Sequence, residues 1–533
     1  MVKKNKVWII LGLGAACLCA PVVAQIDDSS VGEGGIDALK LQNAPYNLTG
    51  RKIAIGQVEI GRPAQFGIDK AGNPNHPDVS VAQVFWRDSP AKTDTDVDPH
   101  AFSVASMMIG KSKAVPGVAP GARLYSSAVG SIEKSGQAEE CLASQYVALQ
   151  NGGDVRSINY SFGESLDRDP RGDAAVLDGN ALLTQCLDWS ARAYDVLHLV
   201  AGNQGKGGIP IPTDNFNGVN VAFTKRVDGV FSKVDFANIG DIAESIVSRL
   251  TGREINVGGR RAIGIVAPGH DVAVLNLDGS VSRVSGTSLA TPHVTASVAL
   301  IQEFGDRQLS TKQPRWSIDS RRHEVSKVVL LNSADKLKDK GQGLQLGMTK
   351  TITDKSNRTW LDSDAYKDDK IPLDLQMGTG QLNAYRAVQQ FSGGQWKPSE
   401  AVAPIGWDYN KVQTNSSADY VLDKPLQQGS FASITIAWDR LVDLNDTNKN
   451  GQYDIGETFR DRGLNNLDLY LIPADSNDAR AKICASISEV DSVEHIFCPV
   501  PKTGRYKIRV QYRQQVNEAT QPYAIAWWTV PAK

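Results

Sequence analysis

The chain has 533 residues and a formal net charge of −2, from 57 basic and 59 acidic side chains. That length exceeds what one hydrophobic core usually supports, so at least two domains are predicted. Charges of both signs are interspersed without a basic block, which argues against a nucleic-acid partner and favours a soluble substrate.

At the N-terminus Lys3, Lys4 and Lys6 precede an apolar run from Val7, and Val22-Val23-Ala24 places small residues ahead of Gln25. This predicts a signal peptide over residues 1–24 and a secreted or periplasmic product. About fourteen apolar residues are too few for a comfortable membrane span, and no later run is long enough, so no stable membrane insertion is expected once the signal is removed. The remaining cysteines, Cys141, Cys186, Cys484 and Cys498, allow three pairings as two disulfides. The domain division below favours Cys141 with Cys186 and Cys484 with Cys498. The first bridge would close a loop of about 45 residues and contribute roughly 4 kcal/mol on the chain-entropy account.

After a short segment, 25–45, the stretch LTGRKIAIGQVEIG (48–61) sends a glycine turn into a β-rich apolar run, which predicts a buried strand ending at Glu59. From His100 to Gly110 a small-and-apolar run places a histidine at the start of a buried helix. Two further strand ends carry Ser161-Phe162-Gly163 and Ala201-Gly202-Asn203. At Ser285–Val294 a glycine-bearing turn feeds an apolar helix, which sets Ser288 beside unpaired N–H donors and a positive partial charge. A lone serine there is ordinarily a helix cap, so a nucleophile reading needs a base and an orienting carboxylate from elsewhere.

Residues Gly286 to Val294 fit the pattern GTSxAxPHV, and on these residues the chain resembles the subtilisin-like serine proteases. The resemblance implies an α/β fold: a three-layer domain with a mainly parallel sheet, in which carboxylate, histidine and serine follow in that chain order. Gapless alignment on the shared LTG puts Glu59 where the family has its aspartate, whereas a register shifted by two would put Gln57 there. The histidine segment is similar to HGTHVAGTIAG and keeps His100, Val104, Ala105 and Gly110. Downstream, Gly117–Tyr125 is close to GVAPxAxLY. By resemblance, Ser288 is the nucleophile, His100 the base, Glu59 the orienting acid and Asn203 an oxyanion donor. Ser161, Phe162, Gly163, Ala201 and Gly202 would contact an extended peptide. The implied reaction is hydrolysis of polypeptide substrates through an acyl-enzyme with no catalytic metal. Glutamate reaches one methylene further than aspartate, and a misplacement of about 1 Å costs on the order of 100-fold in rate. The alternative is therefore a catalytically silent, calcium-stabilised binding protein. The short segment after Gln25 leaves little room for a globular prosegment, so folding without one is expected.

Of the other histidines, His76, His198, His270, His293, His323 and His495 sit in loop, strand, helix or β-domain contexts that read as structural. The first domain is expected over 46–395, with an insertion rich in Lys, Asp, Ser and Thr at about 336–372 predicted as a surface excursion. From 397 to 533 short runs of period-two alternation predict a smaller antiparallel β-sandwich resembling the jelly-roll modules fused to secreted subtilases. Within it, 446–457 (DTNKNGQYDIGE) has the spacing of an EF-hand calcium loop. Asp446, Asn448, Asn450, Asp454 and Glu457 supply side-chain oxygens and Gln452 a carbonyl. Flanking strands instead of helices point to a structural calcium clamp.

Overall fold

The computed structural model describes residues 29–70, 78–131, 135–202, 211–235 and 257–533; the expected signal segment and Asn203 lie outside them. The central sheet contains β1 (Ala54–Glu59), β2 (Gln83–Trp86), β3 (Ser89–Pro90), β4 (Arg123–Ala128), β5 (Val155–Tyr160), β6 (Leu197–Ala201), β7 (Val219–Val227), β8 (Val230–Val234) and β9 (Ile263–Pro268). A hairpin, β10 (Val272–Leu275) and β11 (Val281–Val284), leads away from it, and β12 (Thr351–Thr353) returns to it. The sheet order is β12-β8-β7-β6-β5-β1-β4-β2-β3, with β9 also paired to β7. Among the described residues, only the β2–β3 and β7–β8 pairs of this sheet are antiparallel. Strands β1, β5 and β9 are buried at every position, as parallel strands covered on both faces must be.

The covering helices are α1 (Ala38–Gln42), α2 (Pro99–Ile109), α3 (Gln137–Ala148), α4 (Leu182–Tyr194), α5 (Thr287–Ser310), α6 (His323–Ser333) and α7 (Ala384–Ser392). Alternation along β1 divides the layers: Ala54 and Val58 pack with Ala143 and Val147 of α3 and Leu187 of α4, while Ile55 joins the larger core beneath α2, α5, α6 and α7. Gly56 permits this approach, since a Cβ there would come within 2.4 Å of Val147 Cγ1. Cys141 and Cys186 bridge α3 to α4, and Cys484 pairs with Cys498, as the domain division favoured.

The C-terminal part contains a sheet of β13 (Ala401–Val402), β15 (Ser417–Leu422), β22 (Tyr506–Gln514), β19 (Asn466–Pro473) and β20 (Cys484–Ser486). The facing antiparallel sheet contains β14 (Ile405–Gln413), β23 (Thr520–Trp528), β16 (Phe431–Ala437) and β21 (Val493–Pro499). A ribbon of β17 (Val442–Asn445) and β18 (Thr458–Asp461) forms a separate sheet and packs against Cys141, Cys186 and Trp189 of the first domain. The alternation of β16 sends Ile434 and Ile436 into the sandwich core. Its polar positions meet the first domain: Ser433 Oγ and Thr435 Oγ1 both donate to Asn332 Oδ1 of α6, each at 3.0 Å.

The segment 336–372 corrects the expectation of a surface excursion. Leu346, Met348, Ile352 and Trp360 are buried, and β12 adds a parallel edge strand to β8. Lys336, counted as polar in composition, is itself buried, with Nζ 5.4 Å from the ring centre of Trp360 and 4.9 Å from that of Phe497. Scattered apolar anchors, diluted by polar loop residues, carry the packing.

Arg440 crosses from the β-sandwich into the first domain, donating to Gly179 O (2.6 Å), Asn180 Oδ1 (2.8 Å) and the buried Asp188 Oδ2 (3.3 Å), while Nε donates to Asp461 Oδ1 (2.9 Å). Arg440→Leu leaves Asp188 without its cationic partner and is expected to lower unfolding free energy by about 3–5 kcal/mol, measured by urea denaturation. A loss below about 1 kcal/mol, the range of exposed pairs, would contradict this reading.

Candidate active site

The carboxyl ends of β1, β5 and β6 lie side by side, with Val58 paired to Tyr160 and Tyr160 to Val200. Glu59, Ser161 and Ala201 therefore gather along one edge, where ligands of open parallel sheets bind. The loop after β1 is fixed by a buried bidentate pair: Arg62 donates to Asp69 at 2.7 and 2.9 Å, and Asp69 accepts the N–H groups of Gln65 and Asp94, each at 2.7 Å. Arg62 also exchanges backbone hydrogen bonds with Asp96 (2.8 Å) and Asp98 (2.9 Å). Asp98 in turn caps α2, its carboxylate accepting Ala101 N–H at 2.8 Å, with Pro99 in the first turn.

This frame delivers His100 to Glu59. Its Nδ1 lies 3.4 Å from Glu59 Oε2, with the glutamate side chain 3% exposed and the imidazole 47% exposed. Gln57, the other register candidate, is buried and donates to Ala101 O at 2.9 Å, so it steadies the helix while Glu59 meets the histidine. The Glu59 charge, then its hydrogen bond, raise the His100 pKa to about 8 against the opposing effect of burial. Because this exceeds the ordinary value of about 6.5, the contact contributes fully to stability below that pH and is lost as pH rises through about 8. Acceptance of a proton by His100 becomes available over the same interval. Burial lowers His198 to about 3 and His293 to about 4, which keeps both neutral.

The serine is set by different means. Gly286, at φ 154° and ψ 163°, occupies backbone space reserved for glycine, and its N–H donates to Gly269 O at the end of β9 (2.7 Å). One turn into α5, Pro292 has no N–H to offer the Ser288 carbonyl. Ser161 Oγ donates to that carbonyl at 3.0 Å, and Ser288 Oγ donates back to Ser161 O at 3.1 Å. A hydroxyl has one proton, so in this state Ser288 gives it to Ser161. The structure thus forms two contacts, Glu59 with His100 and Ser161 with Ser288. The reciprocal serine pair was missed by sequence reasoning, although Pro292 four residues after Ser288 signals an orphaned carbonyl. Ser161 and Phe162 are buried, Gly163 and Ala201 half-buried, and the Gly202 N–H is committed to Val221 O at 2.7 Å.

In the 446–457 loop, Asp446 accepts the N–H groups of Lys449 (2.6 Å), Asn450 (3.2 Å) and Gly451 (2.7 Å). The amides of Asn448 and Asn450 both reach Asp454 Oδ2, at 2.6 and 3.1 Å. Asn448 and Asn450 thus gather at Asp454 while Asp446 is held by backbone N–H groups, and the oxygen-bearing residue types are those a hard divalent cation takes. Glu457 instead accepts from Thr447 N–H (2.7 Å), Thr447 Oγ1 (2.8 Å) and Asp454 N–H (3.0 Å). Strands β17 and β18 flank the loop. Gln145 of α3 ties it to the first domain, donating to Tyr453 O at 3.0 Å and accepting Tyr453 N–H at 2.5 Å.

The model of the Subtilase family matches residues 65–349, just over half of the chain, beginning after Glu59. Subtilisin of Bacillus sp. (strain TA39) is 28% identical over 254 residues, 44% of this chain and 55% of its own length. The chain thus spans about half of that relative. Subtilisin Savinase of Lederbergia lenta is 26% identical over 281 residues, 52% of this chain and 87% of its own. Among solved structures, the prenylagaramide maturation protease PagA is similar over 63% of this chain and 92% of its own, at 23% identity and a TM-score of 0.39.

The imidazole of His100, followed by NMR, is expected to titrate at about 8 and to fall toward about 6.5 in Glu59→Gln. An unshifted titration in the variant would remove Glu59 as the cause.

Proposed function

The chain belongs to the subtilase family, and we propose that it is a secreted serine endopeptidase acting on extended polypeptides. The observation that carries this reading is the buried Glu59 carboxylate 3.4 Å from Nδ1 of a half-exposed His100, at the same sheet edge as Ser161 and its partner Ser288. Substrate entry would break the Ser288 to Ser161 hydrogen bond and turn Oγ to His100 Nε2. The imidazole accepts the proton as Oγ attacks the carbonyl, and Glu59 holds the tautomer and stabilises the imidazolium. The oxyanion accepts hydrogen bonds from Ser288 N–H and from the Asn203 amide. His100 then protonates the leaving amine, and water hydrolyses the acyl-enzyme. Ser161, Phe162, Gly163, Ala201 and Gly202 line the peptide's path. Export by a cleaved signal over residues 1–24 agrees with the two disulfides.

Calcium would be held by Asp446, Asn448, Asn450, Asp454 and the Gln452 carbonyl, with Glu457 turning inward. It supplies charge neutralisation and rigidity, no chemistry. A second reading, a silent peptide-binding protein, draws on the Ser288 proton being committed to Ser161.

A fluorophosphonate probe separates the two. Labelling of Ser288 that disappears in His100→Ala supports the peptidase, and a folded, unlabelled wild type supports the silent protein. Asn203→Ala is expected to cut peptide turnover by roughly 10²–10³. Calcium at 100 times its Kd is expected to add about 2.7 kcal/mol of stability to the wild type and none to Asp446→Ala, measured by chemical denaturation.

A further inference from the structure

A cluster remote from the proposed chemistry stands at the junction of the two domains. His323 opens α6, Asp195 follows α4, and Asp439 belongs to the turn after β16. His323 Nδ1 lies 2.9 Å from Asp195 Oδ1 and 3.2 Å from Glu324 Oε2. Its Nε2 lies 3.2 Å from Asp439 Oδ2 and 3.3 Å from Oδ1. The Asp195 oxygen also accepts His323 N–H at 2.9 Å, and its other oxygen is 3.8 Å from Arg322. One ligand atom from each of Asp195, His323 and Glu324 lies within 4.8 Å of the others.

Burial makes this arrangement costly without a further partner. Glu324 is 6% exposed, and its Oε2, aimed at the imidazole, accepts no hydrogen bond. Carboxylates of Asp195, Glu324 and Asp439 surround a single imidazole, and a buried charge needs pairing. A cavity of about 180 Å³, bordered by His323, Glu324, Asp439 and Tyr409, leads to the cluster.

We infer that Asp195, His323 and Glu324 bind a divalent transition metal of the zinc class, with Asp439 as a positioning residue. One nitrogen and two carboxylate oxygens, with a cavity able to supply water as fourth ligand, match the donor set such ions take. Donation of Nε2–H to Asp439 would leave the Nδ1 lone pair facing the two ligating oxygens, the usual way a second carboxylate fixes a metal-bound histidine. The ion would clasp the first domain to the turn at Asp439. This inference is independent of the peptidase reading.

The test uses the full chain carrying Asp446→Ala, stripped with a chelator and then titrated with zinc alone. One zinc per chain by mass spectrometric metal analysis, with a rise in Tm, is expected. Glu324→Gln should abolish uptake, and Asp439→Asn should weaken it by roughly 10–100-fold. A folded protein that takes up no zinc, or equal uptake by Glu324→Gln, overturns the proposal. Should Glu324→Gln fail to fold, an unchanged zinc affinity in Asp439→Asn overturns it instead.

Discussion

Glu59 is a carboxylate 3% exposed whose basic partner is His100, and the surroundings of the candidate site are arranged to hold that contact. A buried carboxylate without a partner is expensive, so the position of one imidazole decides whether the end of β1 is tolerable. That imidazole is placed at a distance: Arg62 and Asp69 lock the loop, Asp98 caps the helix, and Gln57 holds its first turn through Ala101 O. The longer reach of glutamate is absorbed within this frame, since the carboxylate still arrives beside Nδ1.

The serine side obeys a separate constraint. A proline in the first turns of α5 frees the Ser288 carbonyl, and a hydroxyl from the end of β5 takes it up. The end of β5 and the proposed nucleophile are thereby joined by two hydrogen bonds, and Ser161 O is the acceptor of the Ser288 proton. In the proposed reaction, productive binding must supply enough interaction to exchange that acceptor for His100.

The buried strand at β1 and the helix starts at His100 and Ser288 were legible because continuous apolar runs and glycine turns are local signals, whereas the parallel sheet was implied by the family resemblance and the cysteine pairing by the domain division. Periodicity alone does not separate Glu59 from Gln57, since a two-residue shift preserves which face of a strand a side chain occupies; the shared LTG was what favoured Glu59. Geometry gives them different partners. Polar residues buried by distant partners were not legible as such. Ser433 and Thr435 contact Asn332, Lys336 lies against two aromatic rings, and His323 meets Asp195, 128 positions earlier in the chain. These partners are far apart in the chain, so the contacts are set by tertiary packing and carry no local sequence signal.

In the proposed reaction Glu59, His100 and Ser288 act as one unit with the end of β6. A crystal structure of the protein after phosphonylation is the decisive test of this. Expected are a phosphorus atom on Ser288 Oγ, a phosphoryl oxygen about 3 Å from Ser288 N and the Asn203 amide, and His100 still against Glu59. A modified protein in which Ser288 keeps its hydrogen bond to Ser161 while the phosphonyl group sits elsewhere, or in which Glu59 has turned from His100, would contradict it.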